Sequence, residues 1–222
     1  VSLLLELFDK LPTRRSVDDD DLWAAGFGPA LAAFEAGVRA RYTDGTLLRL
    51  LDAPDPRARR AAALALGLTA APAVVPAVAG ALHDEDAEVR RFATDALWEL
   101  WFRGGTEAQN ARLRRAAGEP DAEKAKAALD ALAREAPEFA EVLNQRAIWH
   151  FKRGEYARAA LDCEAVLQLN PHHFGAAAGL GQCQMKLNRP RAALRAFRRA
   201  LAINPDLDLH DTVRALEALD GE

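Results

Sequence analysis

Proline recurs at a fixed interval in the C-terminal half of the chain: Pro137, Pro171 and Pro205 stand 34 residues apart. A period of that length constrains the fold more than any other feature here. Each unit is one supersecondary element that cannot bury its apolar face alone, so neighbours must stack. Between the last two prolines the match extends inward. Leu169-Asn170-Pro171 recurs as Ile203-Asn204-Pro205, Ala147 as Gly181, Ala159 as Ala193, Cys163 as Phe197 and Leu167 as Leu201. Each unit reads as a helix pair. Phe139 to Lys152 and Tyr156 to Leu169 flank the turn Arg153-Gly154-Glu155. Phe174 to Lys186 and Arg191 to Ile203 flank Asn188-Arg189-Pro190. Pro190 suits a helix entry, where the first N–H lacks a partner in any case, and Pro171 and Pro205 stop the returning helices.

Composition points the same way. The chain has 49 alanines in 222 residues and only 7% aromatics. Alanine is the strongest helix former, and no Val/Ile-rich buried strand appears, which argues against an all-β fold, a Rossmann enzyme or an α/β-hydrolase.

The 34-residue unit resembles the tetratricopeptide (TPR) repeat. The second unit carries Leu180-Gly181, Ala193, Phe197 and Pro205 of that pattern, and the first carries Ala147, Tyr156, Ala159 and Pro171. The first departs where Leu143 replaces Trp, Arg146 replaces Leu and Cys163 replaces Phe. An upstream unit, Thr106 to Pro137, keeps only Ala125, Leu129 and the proline. The N-terminal half repeats differently: Asp55-Pro56-Arg57-Ala58-Arg59-Arg60-Ala61-Ala62 aligns with Asp86-Ala87-Glu88-Val89-Arg90-Arg91-Phe92-Ala93 at a period of 31. That resembles the HEAT repeat. The first helices would be Leu47–Leu51 and Val74–Leu82, and the second Arg57–Gly67 and Ala87–Phe102. The resemblance implies structural roles for Asp55, Arg59, Asp86 and Arg90.

Together these resemblances imply an all-α fold, a right-handed α-α superhelix (α-solenoid) of stacked antiparallel helix pairs. The expected organisation is a helical cap at 1–45, with its helix over Leu22–Tyr42, and HEAT-like repeats at 46–104. A degenerate TPR-like unit follows at 105–137, two TPR repeats at 138–205 and a capping helix at 206–222. In that last helix Leu209, Val213, Leu216 and Leu219 form one stripe. The acidic stretch Ser16–Asp21 reads as a loop ending in a helix cap.

Signals for chemistry are sparse. No phosphate-binding G-x-x-x-x-G-K-[ST] loop and no G-x-S-x-G elbow is present, and the glycine pairs Gly26/Gly28 and Gly179/Gly181 follow no strand. His83-Asp84-Glu85-Asp86 lacks a second ligand-bearing segment, and adjacent His172 and His173 point apart on a helix. His150 has no H-E-x-x-H partner. Cys163 replaces a packed aromatic, which predicts an inert buried thiol. No catalytic residue, metal ligand or cofactor is assigned, and the chain reads as not an enzyme. Phe92, Trp98, Trp101 and Phe102 have two readings: packing at the HEAT–TPR junction, or an exposed ligand patch.

A net charge of -4 argues against a nucleic-acid-coated surface. Arg191, Arg195, Arg198 and Arg199 do form a basic stripe, so nucleic-acid binding through Arg191–Arg199 stands as an alternative, and a regulatory or assembly subunit of an enzyme complex as another. An acidic tail could neutralise the stripe, and no aromatic interleaves it for base stacking. No segment is apolar and long enough for a membrane span. The apolar start, Val1 to Phe8, lacks a secretory n-region, so a cytoplasmic protein is expected. The sole methionine is Met185, which leaves the true start open.

TPR proteins generally hold peptides or partner helices on the concave face made by the first helix of each pair. The resemblance therefore implies a non-catalytic protein-protein interaction module, with Asn144, Ile148, Phe151 and Lys152, then Ala178, Gln182, Met185 and Lys186, lining the groove. The Lys/Asn/Arg clamp of chaperone-binding TPR domains is absent: Asn144, Ile148 and Gly179 stand at its positions.

Overall fold

Alanine-rich stretches separated by short polar turns form thirteen α-helices and no strand among the described residues, which in this computed structural model are 2–12 and 20–220. The helices are α1 Ser2–Phe8, α2 Asp20–Arg39, α3 Asp44–Leu51, α4 Pro56–Thr69, α5 Val75–Gly80 and α6 Ala87–Trp101. They continue with α7 Glu107–Ala117, α8 Ala122–Glu135, α9 Ala140–Lys152, α10 Tyr156–Leu169, α11 Phe174–Lys186, α12 Pro190–Ile203 and α13 His210–Asp220. The fold is all-α, built from helices packed in adjacent pairs. The loop expected over Ser16–Asp21 lies outside the described residues except where α2 opens at Asp20. The chain divides into two compact units, residues 1–100 and 101–222.

In the first unit, α1 and α2 pack on α4. Leu4, Phe34 and Val38 are buried there, and Phe8 meets Phe34 and Phe92 edge-on. Helix α4 starts on a designed-looking end: the Asp55 side chain accepts from the Arg57 N–H and Pro56 follows at the first position. Its interior face is alanine. Ala58, Ala61, Ala62, Ala63 and Ala65 are all inaccessible to solvent. Gly67 lets α4 approach α6 closely, because a Cβ there would sit 2.7 Å from the Ala96 Cα. The expected single helix Val74–Leu82 is broken. It becomes a 3₁₀ turn at Pro72–Val74, α5, and a second 3₁₀ turn at Ala81–His83. Pro76 separates α5 from the turn before it: it has no N–H to donate to the Pro72 carbonyl, and it is accommodated in the first turn of α5.

The turns of this unit are latched by charge. Arg59, 7% exposed, donates to both Asp84 oxygens at 2.7 and 2.9 Å, and also to the carbonyls of Ala53 and Pro54. Arg60 pairs with Asp86, and Arg90 donates to the carbonyls of Asp84 and Glu85. The structural roles expected for Asp55, Arg59, Asp86 and Arg90 are thus realised. The acid that Arg59 meets is Asp84, while Asp55 and Asp86 accept helix-start N–H groups. The hydrogen bond from Arg60, opposed by burial, holds the Asp86 carboxyl down at about 2.

In the second unit, α7/α8, α9/α10 and α11/α12 are successive pairs, and α13 packs on α12. Helices α10 and α11 run over the spans read from the sequence. The turns closing the last two pairs share a left-handed residue one period apart: Gly154 at φ 76° and Asn188 at φ 56°. Glycine has no steric penalty there and asparagine is among the side chains that tolerate it. Gly181 lies where α11 crosses α12, since any Cβ would enter the Phe197 ring. The capping stripe forms with one departure. Leu209, Val213 and Leu216 pack with Ala193, Leu194 and Phe197, but Leu219 is 66% exposed.

Candidate protein-docking face

The candidate residues fall on α9 and α11, helices that start 34 residues apart and touch each other. Equivalent positions therefore form rows across the two helices: Asn144 with Ala178, Ile148 with Gln182, Phe151 with Met185, and Lys152 with Lys186. Ile148 and Met185 are large apolar side chains 39% and 42% exposed. Lys152, Gln182 and Lys186 are exposed beside them, and Ala178 is half-buried. Phe151 is half-buried too. It packs on the cluster of Ala159, Ala160 and Cys183 and lies edge-on to Tyr156.

Asn144 departs from the expectation. It is buried, and its amide donates at 3.0 Å to the buried carboxylate of Glu141. That carboxylate also accepts from Gln145 at 2.7 Å and pairs with His173 Nε2 at 2.9 Å. His173 Nδ1 accepts the Ala176 N–H, capping α11. A nitrogen that accepts cannot also be protonated, so the hydrogen bonds assign a neutral ring with its proton on Nε2, donated to Glu141. The ring stacks on Trp101 with centroids 3.8 Å apart. Asn144 is therefore held inside a polar network that joins α9 to α11 and does not line the exposed face.

A second network lies behind the face. Arg146 donates to both oxygens of Asp162 at 2.8 and 2.6 Å and to Asp130 at 3.4 Å, linking α9 to α10 and α8. His150 is buried and its Nδ1 lies 2.7 Å from Glu155. That pairing and the one with Arg158 lower the Glu155 carboxyl. These groups orient α9 so that Ile148 points outward.

Sequence reading missed what lies next to Ile148. A cleft of about 200 Å³ opens there, floored by Ala125 and Leu129 of α8 and walled by Gln145, Ile148, Trp149 and Lys152. The Trp149 indole N–H donates to the Ala122 carbonyl at 2.7 Å, and Lys126 and Arg153 lie 5.6 and 5.4 Å from its ring. The TPR pattern drew attention to position 143 for its tryptophan, and the indole arrives six residues later in the chain.

The remaining candidates resolve into packing. Trp101 is 4% exposed, Phe102 packs on the cluster around Leu113 and Leu132, and Phe92 faces Phe8. Each of these rings packs within its own unit, and Trp98 is half-buried. Both Asp84 oxygens face Arg59 and Asp86 faces Arg60, so the His83–Asp86 run does not offer a ligand set. Among the described residues no group of three His, Cys, Asp or Glu converges as a metal site. Cys163 is buried, and its contact with Cys183 together with burial pushes its thiol up. Within the basic stripe, Arg198 pairs with Glu217 of α13 at 2.7 Å and Arg199 donates to the Leu167 carbonyl. No helix among the described residues is long and apolar enough to cross a membrane.

Residues 43–133 match the family model of HEAT repeats and residues 150–219 that of the tetratricopeptide repeat. The HEAT match thus runs on through α7 and most of α8. A TPR repeat-containing protein of Rhizobium etli is 36% identical over 69 residues, which are 31% of this chain and 34% of that protein. The chain spans about a third of the length of that curated relative.

Proposed function

Because the chain is a repeat protein that joins HEAT repeats to tetratricopeptide repeats, we propose that it is a non-catalytic adaptor that captures a peptide or partner helix on the α9/α11 face. Repeat families of both kinds generally mediate protein–protein contact. The observation that carries the reading is a pair of large apolar side chains, Ile148 and Met185, about two-fifths exposed in the middle of that face. Isolated exposed apolar residues are ordinary, but these two stand on neighbouring helices, Ile148 at the edge of the Trp149 cleft, with Lys152, Gln182 and Lys186 exposed on the same two helices. A partner would bury an apolar strip there while its amide and acidic groups meet the glutamine and lysines.

Affinity capture from the native lysate tests this, with the wild type beside an Ile148→Asp/Met185→Asp variant. Both side chains are exposed, so the helical circular dichroism should persist while at least one captured protein disappears. Recovery of the same proteins in equal amounts by the variant would overturn the assignment of this face.

A further inference from the structure

A second surface lies at the far end of the same unit and shares no residue with the α9/α11 face. Helices α12 and α13 diverge to leave a cleft of about 460 Å³, within the range of ligand and peptide pockets. Its walls are apolar: Pro190, Ala192 and Leu194 from α12, with Leu216 and Leu219 from α13. Arg189, Arg191 and Arg195 stand around its rim.

The preceding repeat shows what such a place looks like when it is filled. Cys183 is the tenth residue of α11 and is 1% exposed, clustered with Ala159 and Ala160. Leu219 is the tenth residue of α13, which starts 36 residues after α11, and Ala193 and Leu194 stand 34 residues after Ala159 and Ala160. At this end the tenth residue is a larger apolar side chain, yet 66% of it faces solvent. The α12/α13 cleft therefore offers an apolar seat where the α10/α11 equivalent is closed.

Charge specifies the occupant. Helix α13 carries the acids Asp211, Glu217 and Asp220, but among the described side chains the charged lining of the cleft is Arg189, Arg191 and Arg195 alone. Arg198 is paired with Glu217, but Arg189 and Arg195 meet no acid among the described residues. We propose that this cleft docks an acidic amphipathic helix of a partner protein. Its leucine-type anchors would enter between Leu194 and Leu219, and its flanking carboxylates would pair with Arg189 and Arg195. A helix fits because both walls are helices and the anchors must repeat every three or four residues. Forked guanidiniums around an apolar floor favour carboxylates held at fixed spacing.

The test uses fluorescence anisotropy on the full chain. The probe is a short labelled synthetic helix, with leucines three and four residues apart and glutamates on its flanks. The same residues in scrambled order and an oligothymidylate of similar charge serve as comparisons. The ordered helix should bind. Binding should weaken about tenfold with Arg189→Ala/Arg195→Ala, and by at least about tenfold with Leu219→Asp. It should be unmoved by Ile148→Asp/Met185→Asp, which separates this cleft from the α9/α11 face. Leu219 is exposed, so its variant should melt as the wild type does. Equal binding of ordered and scrambled peptides, preference for the oligothymidylate, insensitivity to Leu219→Asp, or no binding of the ordered helix would each overturn the proposal.

Discussion

The two units hold their repeats together by different means. In residues 1–100 α4 meets α6 through alanine and glycine, and the orienting contacts sit at the turns, where Arg59 and Arg60 grip Asp84 and Asp86. In residues 101–222 the orienting contacts lie inside, where Glu141 gathers Asn144, Gln145 and His173, and a glycine yields to the Phe197 ring. The difference teaches where sequence change is tolerated. The partly open Arg60–Asp86 latch can lose a partner to water, whereas the buried Glu141 carboxylate cannot.

Substitutions at the two kinds of contact should separate them. Glu141→Ala strands a buried imidazole N–H and two amides, and should cost about 3–4 kcal/mol, against about 2–3 kcal/mol for Arg59→Ala. Amide exchange should show the first loss over α9 and α11 and the second over α3 and α4. A loss spread equally over both units in either variant would break the comparison, because repeat arrays transmit stability mainly to nearest neighbours.

The glycines sharpen it. Gly67 faces the backbone of Ala96, and Gly181 faces a side-chain ring that can move. Gly67→Ala should therefore cost about 3 kcal/mol and Gly181→Ala about 1–2 kcal/mol by urea denaturation. Adding Phe197→Leu should restore part of the stability lost in the second variant and none in the first.

The smallest effect concerns acid. Asp86 titrates near 2 when folded against an ordinary value of 3.8. A depressed carboxylate contributes stability that is present above its unfolded value, and loses it as pH falls from about 4 through about 2. Arg60→Ala should remove about 1–2 kcal/mol of that acid-sensitive stability, flattening the unfolding midpoint between pH 4 and pH 2. An unchanged acid limb in Arg60→Ala would mean that the latch is idle in solution.

Much of this architecture is legible from local pattern. The proline period and the turn residues place α10 and α11, and the Asp-Pro start places α4. The apolar run Val74–Leu82 reads as one helix, but Pro76 cannot donate the N–H that would join α5 to the 3₁₀ turn before it. The docking face is legible only in part. Helical spacing put Asn144 beside Ile148, but which side of α9 turns inward is decided by Glu141, and a fully buried glutamate goes against the usual rule. Its partner His173 is 32 residues away, so the pairing becomes visible only once α9 and α11 are packed. The Trp149 cleft is hidden for the same reason, since seven of its eleven lining residues come from α7, α8 and the turn between them.

The five inaccessible alanines of α4 have a thermodynamic consequence. An alanine has no side-chain rotamers to lose on folding, so this interior is ordered at little entropic cost beyond that of the backbone. It also buries little apolar area per residue, and the unfolding heat capacity that it contributes is correspondingly small. For the same reason the α4–α6 contact at Gly67 has little means of adjustment. A leucine core absorbs an added methyl by shifting rotamers, but around Gly67 and Ala96 there are no rotamers to shift, and the helices themselves would have to move apart.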